Sequence, residues 1–343
     1  MDRAIVVLIC PYPATDIAHA LGLPKKKLWP LVDPKHVLSG NFAPVVEQPP
    51  THCPVINGTI PSCLAGGAYI RNGPNPQHRL PKRTHHLFDG DGMLHSLLSL
   101  CPQQHRRQSP CSAHARYVQT YKYHLEHEAG APIFPNFFSG FKGLAGLARL
   151  AVMSARIAFM HFASLTSPIP YTSTATGEVT TLGRCDFDDH RTIGMTAHPK
   201  MDPVNGELFS FRYSMLQPFL TYIWFDRAGN KVANVPIFSL QKPSMLHDFA
   251  ITERYAIFPE SQLVMSPLDM AVHGGSLVRL DREMVPRIGV LPRYARDESE
   301  MRWFEVPGFN MLHATNAWEE ADGEELMLVA SGNQQLVNQT HAS

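Results

Sequence analysis

Short runs of β-branched, aromatic and aliphatic residues recur along this chain, each closed within a few residues by a turn signal. The clearest span 68–72, 117–123, 178–184, 208–213, 222–226, 249–251, 255–258, 276–281 and 301–305. Turn signals such as Asn205-Gly206, Ala228-Gly229-Asn230 and Asp322-Gly323 fall between them, as hairpins require. Several short strands at this spacing predict an all-β sandwich, barrel or propeller. The 29 prolines and 23 glycines are scattered through the chain, which suits many strands joined by turns. At 343 residues the length allows one large domain or two ordinary ones.

Three histidines stand in similar settings at the start of such runs. They are His198 in Thr196-Ala197-His198-Pro199-Lys200, His247 in Met245-Leu246-His247-Asp248-Phe249, and His313 in Met311-Leu312-His313-Ala314-Thr315. None has an acidic partner at metal-ligand spacing. The gaps of 49 and 66 residues are each long enough for about one propeller blade, roughly 40–50 residues plus insertions. One histidine per repeat, each at a strand end, is how a propeller could aim imidazoles at its central axis. Neutral imidazoles suit iron, zinc or copper. Against this stands the commoner role of histidine: the chain has 18, and most histidines lie on surfaces or are hydrogen-bonded in cores. An all-histidine metal centre is the leading reading, and spacing alone leaves the structural alternative open.

The formal net charge is zero, which gives no electrostatic case for nucleic acid. Six cysteines, at 10, 53, 63, 101, 111 and 185, form no Cys-x-x-Cys pair. A zinc ribbon or thioredoxin-type site is thereby disfavoured, and free thiols in a reducing compartment are the simpler account. The apolar stretch 4–10 is too short to span a bilayer. Its brief apolar core, with no small-residue cleavage site, weakens a signal-peptide reading, and it lacks the Ser- and Arg-rich character of a transit peptide.

One segment breaks the β pattern. Residues 137–162 are apolar and small, with Lys142, Arg149 and Arg156 each seven residues apart. On a helix those cations share one stripe, since seven residues are nearly two turns. A basic stripe beside Leu144, Leu147, Leu150 and Ile157 suits a helix lying on a membrane surface. The plainer alternative is a cap helix packed on the β domain. His124-Leu125-Glu126 has the His-x-Glu form of a mixed metal site, yet it follows a Lys-bearing strand and is expected at the surface. Asp89-Gly90-Asp91-Gly92 lacks the later glutamate of a calcium loop and reads as a tight turn. Ser139 and Ser331 have glycine neighbours but no Gly-x-Ser-x-Gly elbow, so a hydrolase is unsupported.

Beyond the histidines, the chain resembles the plant carotenoid cleavage dioxygenases, a family of non-haem iron oxygenases that includes the epoxycarotenoid dioxygenases. The likeness rests on Val37-Leu38-Ser39-Gly40-Asn41-Phe42-Ala43-Pro44-Val45, Gly67-Ala68-Tyr69-Ile70-Arg71-Asn72-Gly73-Pro74-Asn75-Pro76 and Phe88-Asp89-Gly90-Asp91-Gly92-Met93-Leu94-His95. Arg116-Tyr117-Val118-Gln119-Thr120-Tyr121 and Asn316-Ala317-Trp318-Glu319-Glu320 extend it. The stretch Phe134-Pro135-Asn136-Phe137-Phe138-Ser139-Gly140 is most similar to the plastid subgroup numbered four.

The resemblance implies a seven-bladed β-propeller, incomplete here, with helical cap segments. It places the domain at 33–343, after an extension at 1–32 of unclear role, with the cap or membrane-contact helix near 137–162. It implies iron(II) held by His198, His247 and His313, and oxidative cleavage of a carotenoid or apocarotenoid by dioxygen at a 9,10 or 9′,10′ double bond. A chloroplast location and contact with a membrane or plastoglobule surface follow from it as well. The family holds each ligating histidine through glutamates on neighbouring strands.

The departures carry weight. The family uses a fourth histidine near its C-terminus, and this chain stops at Ser343 before a matching segment; His341 lies outside any such context. A strand pair ahead of Ser167-Pro168-Ile169-Pro170-Tyr171, with its glutamate, is also expected to be lost. Two classes of function remain: an iron dioxygenase, or a catalytically impaired truncated relative that binds lipid or isoprenoid without turnover.

Overall fold

The computed structural model of the chain describes residues 4–11, 38–58, 60–64, 67–78, 85, 88–99, 111–134, 171–173, 179–181, 195–267, 269, 277–320 and 325–332. Two compact units divide it. One comprises Met1–Lys26, Lys142–Leu144 and Phe187–Ser343; the other comprises Lys27–Phe141 and Ala145–Asp186.

The second of these is built on an antiparallel sheet of β2 (Gln48–Cys53), β3 (Ala68–Pro74), β4 (Gly92–Ser99) and β5 (Cys111–Tyr117), in the order β2-β5-β4-β3. β6 (Tyr171–Ser173) and β7 (Val179–Thr181) form a separate hairpin. At the β3–β4 end the two glycine-rich turns lie against each other, and the Asn75 N–H donates to the Asp91 carbonyl at 2.8 Å. Gly90 permits this approach, because a Cβ there would sit 2.9 Å from the Asn75 nitrogen. The Asn75 side chain donates to the Val45 carbonyl at 2.8 Å and to the Tyr117 hydroxyl at 2.6 Å.

The run 117–123, expected as a strand, is divided instead. Tyr117 ends β5, and α1 (Tyr121–Ala129) begins four residues later. The physical reason is Thr120, whose hydroxyl accepts from the Tyr123 N–H at 3.0 Å and caps the helix start. Gly130, in the left-handed conformation at φ 61°, closes its end. The expectation of a surface position for His124-Leu125-Glu126 fails at Glu126, which is 2% exposed. Its carboxylate accepts from the Ile133 and Phe134 N–H groups at 2.9 and 2.8 Å and from Lys122 at 2.7 Å. Lys122 also reaches Asp91 at 2.8 Å, so one ammonium joins the helix to the β3–β4 turn.

In the first unit, β8 (Lys200–Met201), β9 (Leu208–Tyr213), β10 (Leu220–Phe225) and β11 (Lys231–Ile237) form a four-stranded meander. Gly206 and Gly229, at φ 73° and 84°, turn its first and last connections. A second four-stranded sheet takes the order β12 (Ala250–Ile251), β13 (Tyr255–Glu260), β16 (Arg287–Pro292) and β17 (Arg302–Glu305). The hairpin of β14 (Leu263–Met265) and β15 (Val278–Leu280) interrupts it in sequence. β18 (Met311–Glu320) pairs antiparallel with β19 (Glu325–Gly332). The apolar run near the N-terminus is β1 (Ala4–Pro11), which adds to the other edge of β19 in parallel.

Phe209, Phe211, Leu220, Tyr222, Phe249, Phe258 and Leu291 form one buried cluster between the two four-stranded sheets. Phe249 and Phe258 stack at 5.7 Å, and Phe211 meets Phe249 edge-on at 5.4 Å. Each such ring contributes about 1.5–3 kcal/mol by leaving water, which fixes the start of β12 against β9. The Asp322-Gly323 turn and the basic segment 137–162 lie outside the described residues. Among the described residues no helix is long and apolar enough to cross a membrane.

Candidate metal centre

His198 lies two residues before β8, His247 three residues before β12, and His313 is the third residue of β18. Each histidine is thus set by the start of a strand whose other residues are committed to pairing or core. The β18–β19 register shifts between Met311 and His313. Such a bulge re-aims a side chain that regular alternation would send elsewhere. Thr196 joins two of the three segments. Its hydroxyl accepts from the His198 N–H at 3.1 Å and donates to the His247 carbonyl at 2.8 Å, while its own N–H is held by Phe211 of β9 at 3.0 Å.

The three rings meet. Ring centroids are 4.6 Å apart for His198 and His247, 5.0 Å for His198 and His313, and 4.9 Å for His247 and His313. One ring nitrogen from each lies within 4.8 Å of the others, and the Nε2 atoms of His198 and His247 are 3.0 Å apart. All three pairs of rings are edge-on, and one nitrogen of each takes part in the convergence.

Charge follows burial. Desolvation pushes the His247 pKa down to about 4, aided by the neighbouring imidazoles of His198 and His313 and opposed by Asp248. Burial also lowers His198, with Asp248 pulling it up and His313 and Lys200 pushing it down. Both rings are neutral at neutral pH, the form that offers a lone pair to a metal. Two nitrogens bound in adjacent positions at 2.0–2.1 Å would stand about 3.0 Å apart, which is the His198–His247 spacing. The donor set therefore fits a borderline divalent ion such as iron(II).

Asp248, beside His247, was not among the residues singled out from sequence. It is 2% exposed and binds Lys200, the Phe249 N–H and the Ala314 N–H. Thr196 was missed as well. Both left a signal, a polar residue inside an otherwise apolar strand start that burial would oblige to find partners. Among the other residues considered, His124 and Glu126 sit on α1 and Asp89 and Asp91 on the β3–β4 turn, and none joins a cluster with metal-ligand geometry among the described residues. Ser139 and His341 lie outside the described residues.

A mainly β chain whose strand starts bring three imidazoles to one point is a candidate metalloprotein of the propeller class. Comparison with known proteins defines it further. A family model described as retinal pigment epithelial membrane protein matches residues 42–342. A chloroplastic 9-cis-epoxycarotenoid dioxygenase of Oryza sativa subsp. japonica is 61% identical over 95% of this chain and 60% of its own length. A probable carotenoid cleavage dioxygenase 4, also chloroplastic, of Arabidopsis thaliana is 52% identical over 88% of this chain and 54% of its own. The crystal structure of Pseudomonas brassicacearum lignostilbene dioxygenase superposes with a TM-score of 0.62 at 22% identity, covering 85% of this chain and 70% of that one. The chain belongs to the carotenoid cleavage dioxygenase family, and its fold is the propeller of the carotenoid oxygenases. It spans about three-fifths or less of the length of these two plant relatives.

Proposed function

We propose that this chain carries the iron site of a dioxygenase that cleaves a polyene double bond of a carotenoid or apocarotenoid, with His198, His247 and His313 as ligands. The convergence of three ring nitrogens within 4.8 Å carries the reading. An iron(II) ion held there would bring dioxygen to the double bond, whose electrons supply the reduction, so that both oxygen atoms enter two carbonyl products and no external reductant is consumed. The protein's part is to present neutral nitrogens, which leave the ion's positive charge uncompensated. Asp248 and Lys200 add a carboxylate and an ammonium that cancel each other. Cleavage at a 9,10 or 9′,10′ bond accords with the subgroup-four wording at 134–140, and a plastid location with the chloroplastic names of both plant relatives.

A second reading is a relative that binds lipid or isoprenoid without turnover. One experiment separates the two. The purified chain, loaded with iron(II), is given β-carotene or apo-8′-carotenal beside a His247→Ala variant, and bound iron, bound carotenoid and carbonyl products are all measured. Iron uptake is expected to fall at least about tenfold in the variant. Products that vanish with His247→Ala establish the dioxygenase, and retained binding of the carotenoid without products establishes the second reading. Iron uptake indifferent to the substitution overturns the dioxygenase reading.

A further inference from the structure

Each of the three histidine-bearing segments ends in a contact with a single buried carboxylate. Asp248 Oδ1 binds the Lys200 ammonium at 2.7 Å, two residues beyond His198. The same oxygen accepts from the Phe249 N–H at 2.8 Å, on the segment of His247. Oδ2 accepts from the Ala314 N–H at 3.0 Å, the residue after His313. Three segments distant in sequence thus share one acceptor pair. We infer that Asp248 is the positioning residue of the metal centre: it fixes the strand starts that carry His198, His247 and His313 in one register. This rests on the reading of those histidines as metal ligands.

Chemistry supports the clamp over two alternatives. Asp248 is not a fourth ligand, because both of its oxygens are engaged by donors and it does not belong to the group of converging ligand atoms. Nor is it packing alone, since a buried carboxylate without partners is costly and a chain of apolar residues would fill the space better. Lys200 balances the charge, and its ammonium lies 5.8 Å from the centre of the Phe249 ring, so the pair is held from both sides. A carboxylate suits the place because it is acceptor-only and three donors face it. An amide in its place would aim an NH2 group at one of those donors.

Cobalt(II) chloride tests the inference, because its visible absorption reports ligand geometry independently of turnover. The full chain, Asp248→Asn, Lys200→Met and His247→Ala are titrated with cobalt(II), with thermal unfolding of each metal-free protein recorded alongside. Asp248→Asn is expected to weaken cobalt affinity about tenfold to a hundredfold and to shift the visible bands. Lys200→Met should do the same to a smaller degree, and it serves as the deciding variant should Asp248→Asn fail to fold. Unchanged affinity and bands in a folded Asp248→Asn or Lys200→Met protein, even at a lower melting temperature, would mean a packing role only and overturn the inference. Cobalt binding that His247→Ala leaves intact would instead remove the three-histidine reading and the clamp with it.

Discussion

In the β8–β11 sheet every residue of the inner strand β10 from Tyr222 to Phe225 is buried, whereas in the β2–β5 sheet the inner strand β4 buries the smaller side chains of Met93, Leu94 and Leu98 and the edge strand β3 buries none, exposing Tyr69 by 63%. The first sheet is held by aromatic contact on its faces, with Phe211, Phe249 and Phe258 interlocked. The second is closed at its end by polar groups: Asn75 against Tyr117 and Val45, and Lys122 between Asp91 and Glu126. A packed aromatic interior resists small displacements of the strands that emerge from it. That suits the sheets whose strand starts carry the histidines. The polar closure instead fixes turns and a helix, where geometry depends on a few directed bonds.

Phe258→Ala is the severest test of this contrast. It removes a ring that touches Phe211, Tyr222 and Phe249, and a cost of about 3–5 kcal/mol is expected from denaturant unfolding. A cost under about 1 kcal/mol would mean that the aromatic cluster does not hold the first unit. In the second unit, Glu126→Gln keeps the size of the side chain but replaces one of two acceptors that serve Ile133, Phe134 and Lys122. The expected loss is about 1–3 kcal/mol, the penalty for a buried group left badly paired. An unfolding midpoint equal to that of the unsubstituted chain would assign the closure of α1 to packing after all.

How far the sequence could be read follows the same division. β9 was legible residue for residue at Leu208–Tyr213, and β10 nearly so, because apolar burial writes a continuous run. The three histidines stood out because each lies at or just ahead of the start of such a run, although Met-Leu-His alone does not mark them, since Met93-Leu94-His95 repeats it outside the cluster. α1 was not, since Tyr117, Val118 and Thr120 imitate a strand, and only the Thr120 cap and Gly130 mark the helix. Asp248 was passed over because its meaning lies in partners 48 residues before and 66 residues after it, Lys200 and Ala314. Pairing across such separations is set by the sheet register, which no local pattern encodes.

The first unit also uses polar closure at a strand end, and this refines the contrast. Glu319 of β18 accepts from the Thr252 hydroxyl at 2.6 Å and the Arg254 N–H at 2.8 Å, and pairs with the Arg254 guanidinium. Burial alone would raise its pKa, but these bonds outweigh it and hold the carboxyl below its ordinary value of 4.5. A carboxyl depressed in the folded state contributes stability that is fully present above its unfolded pKa and is lost as pH falls through the folded one. The chain should therefore lose stability below about pH 4.5, in part through this group, and Glu319→Gln should flatten that part of the acid limb. The effect is expected to stay under about 1 kcal/mol, since the Arg254 side chain is half exposed and the pair is screened. Equal acid limbs for both proteins in urea melts between pH 3 and 6 would confine polar closure to the second unit. A flattened limb would place the difference between core and rim instead of between the two units.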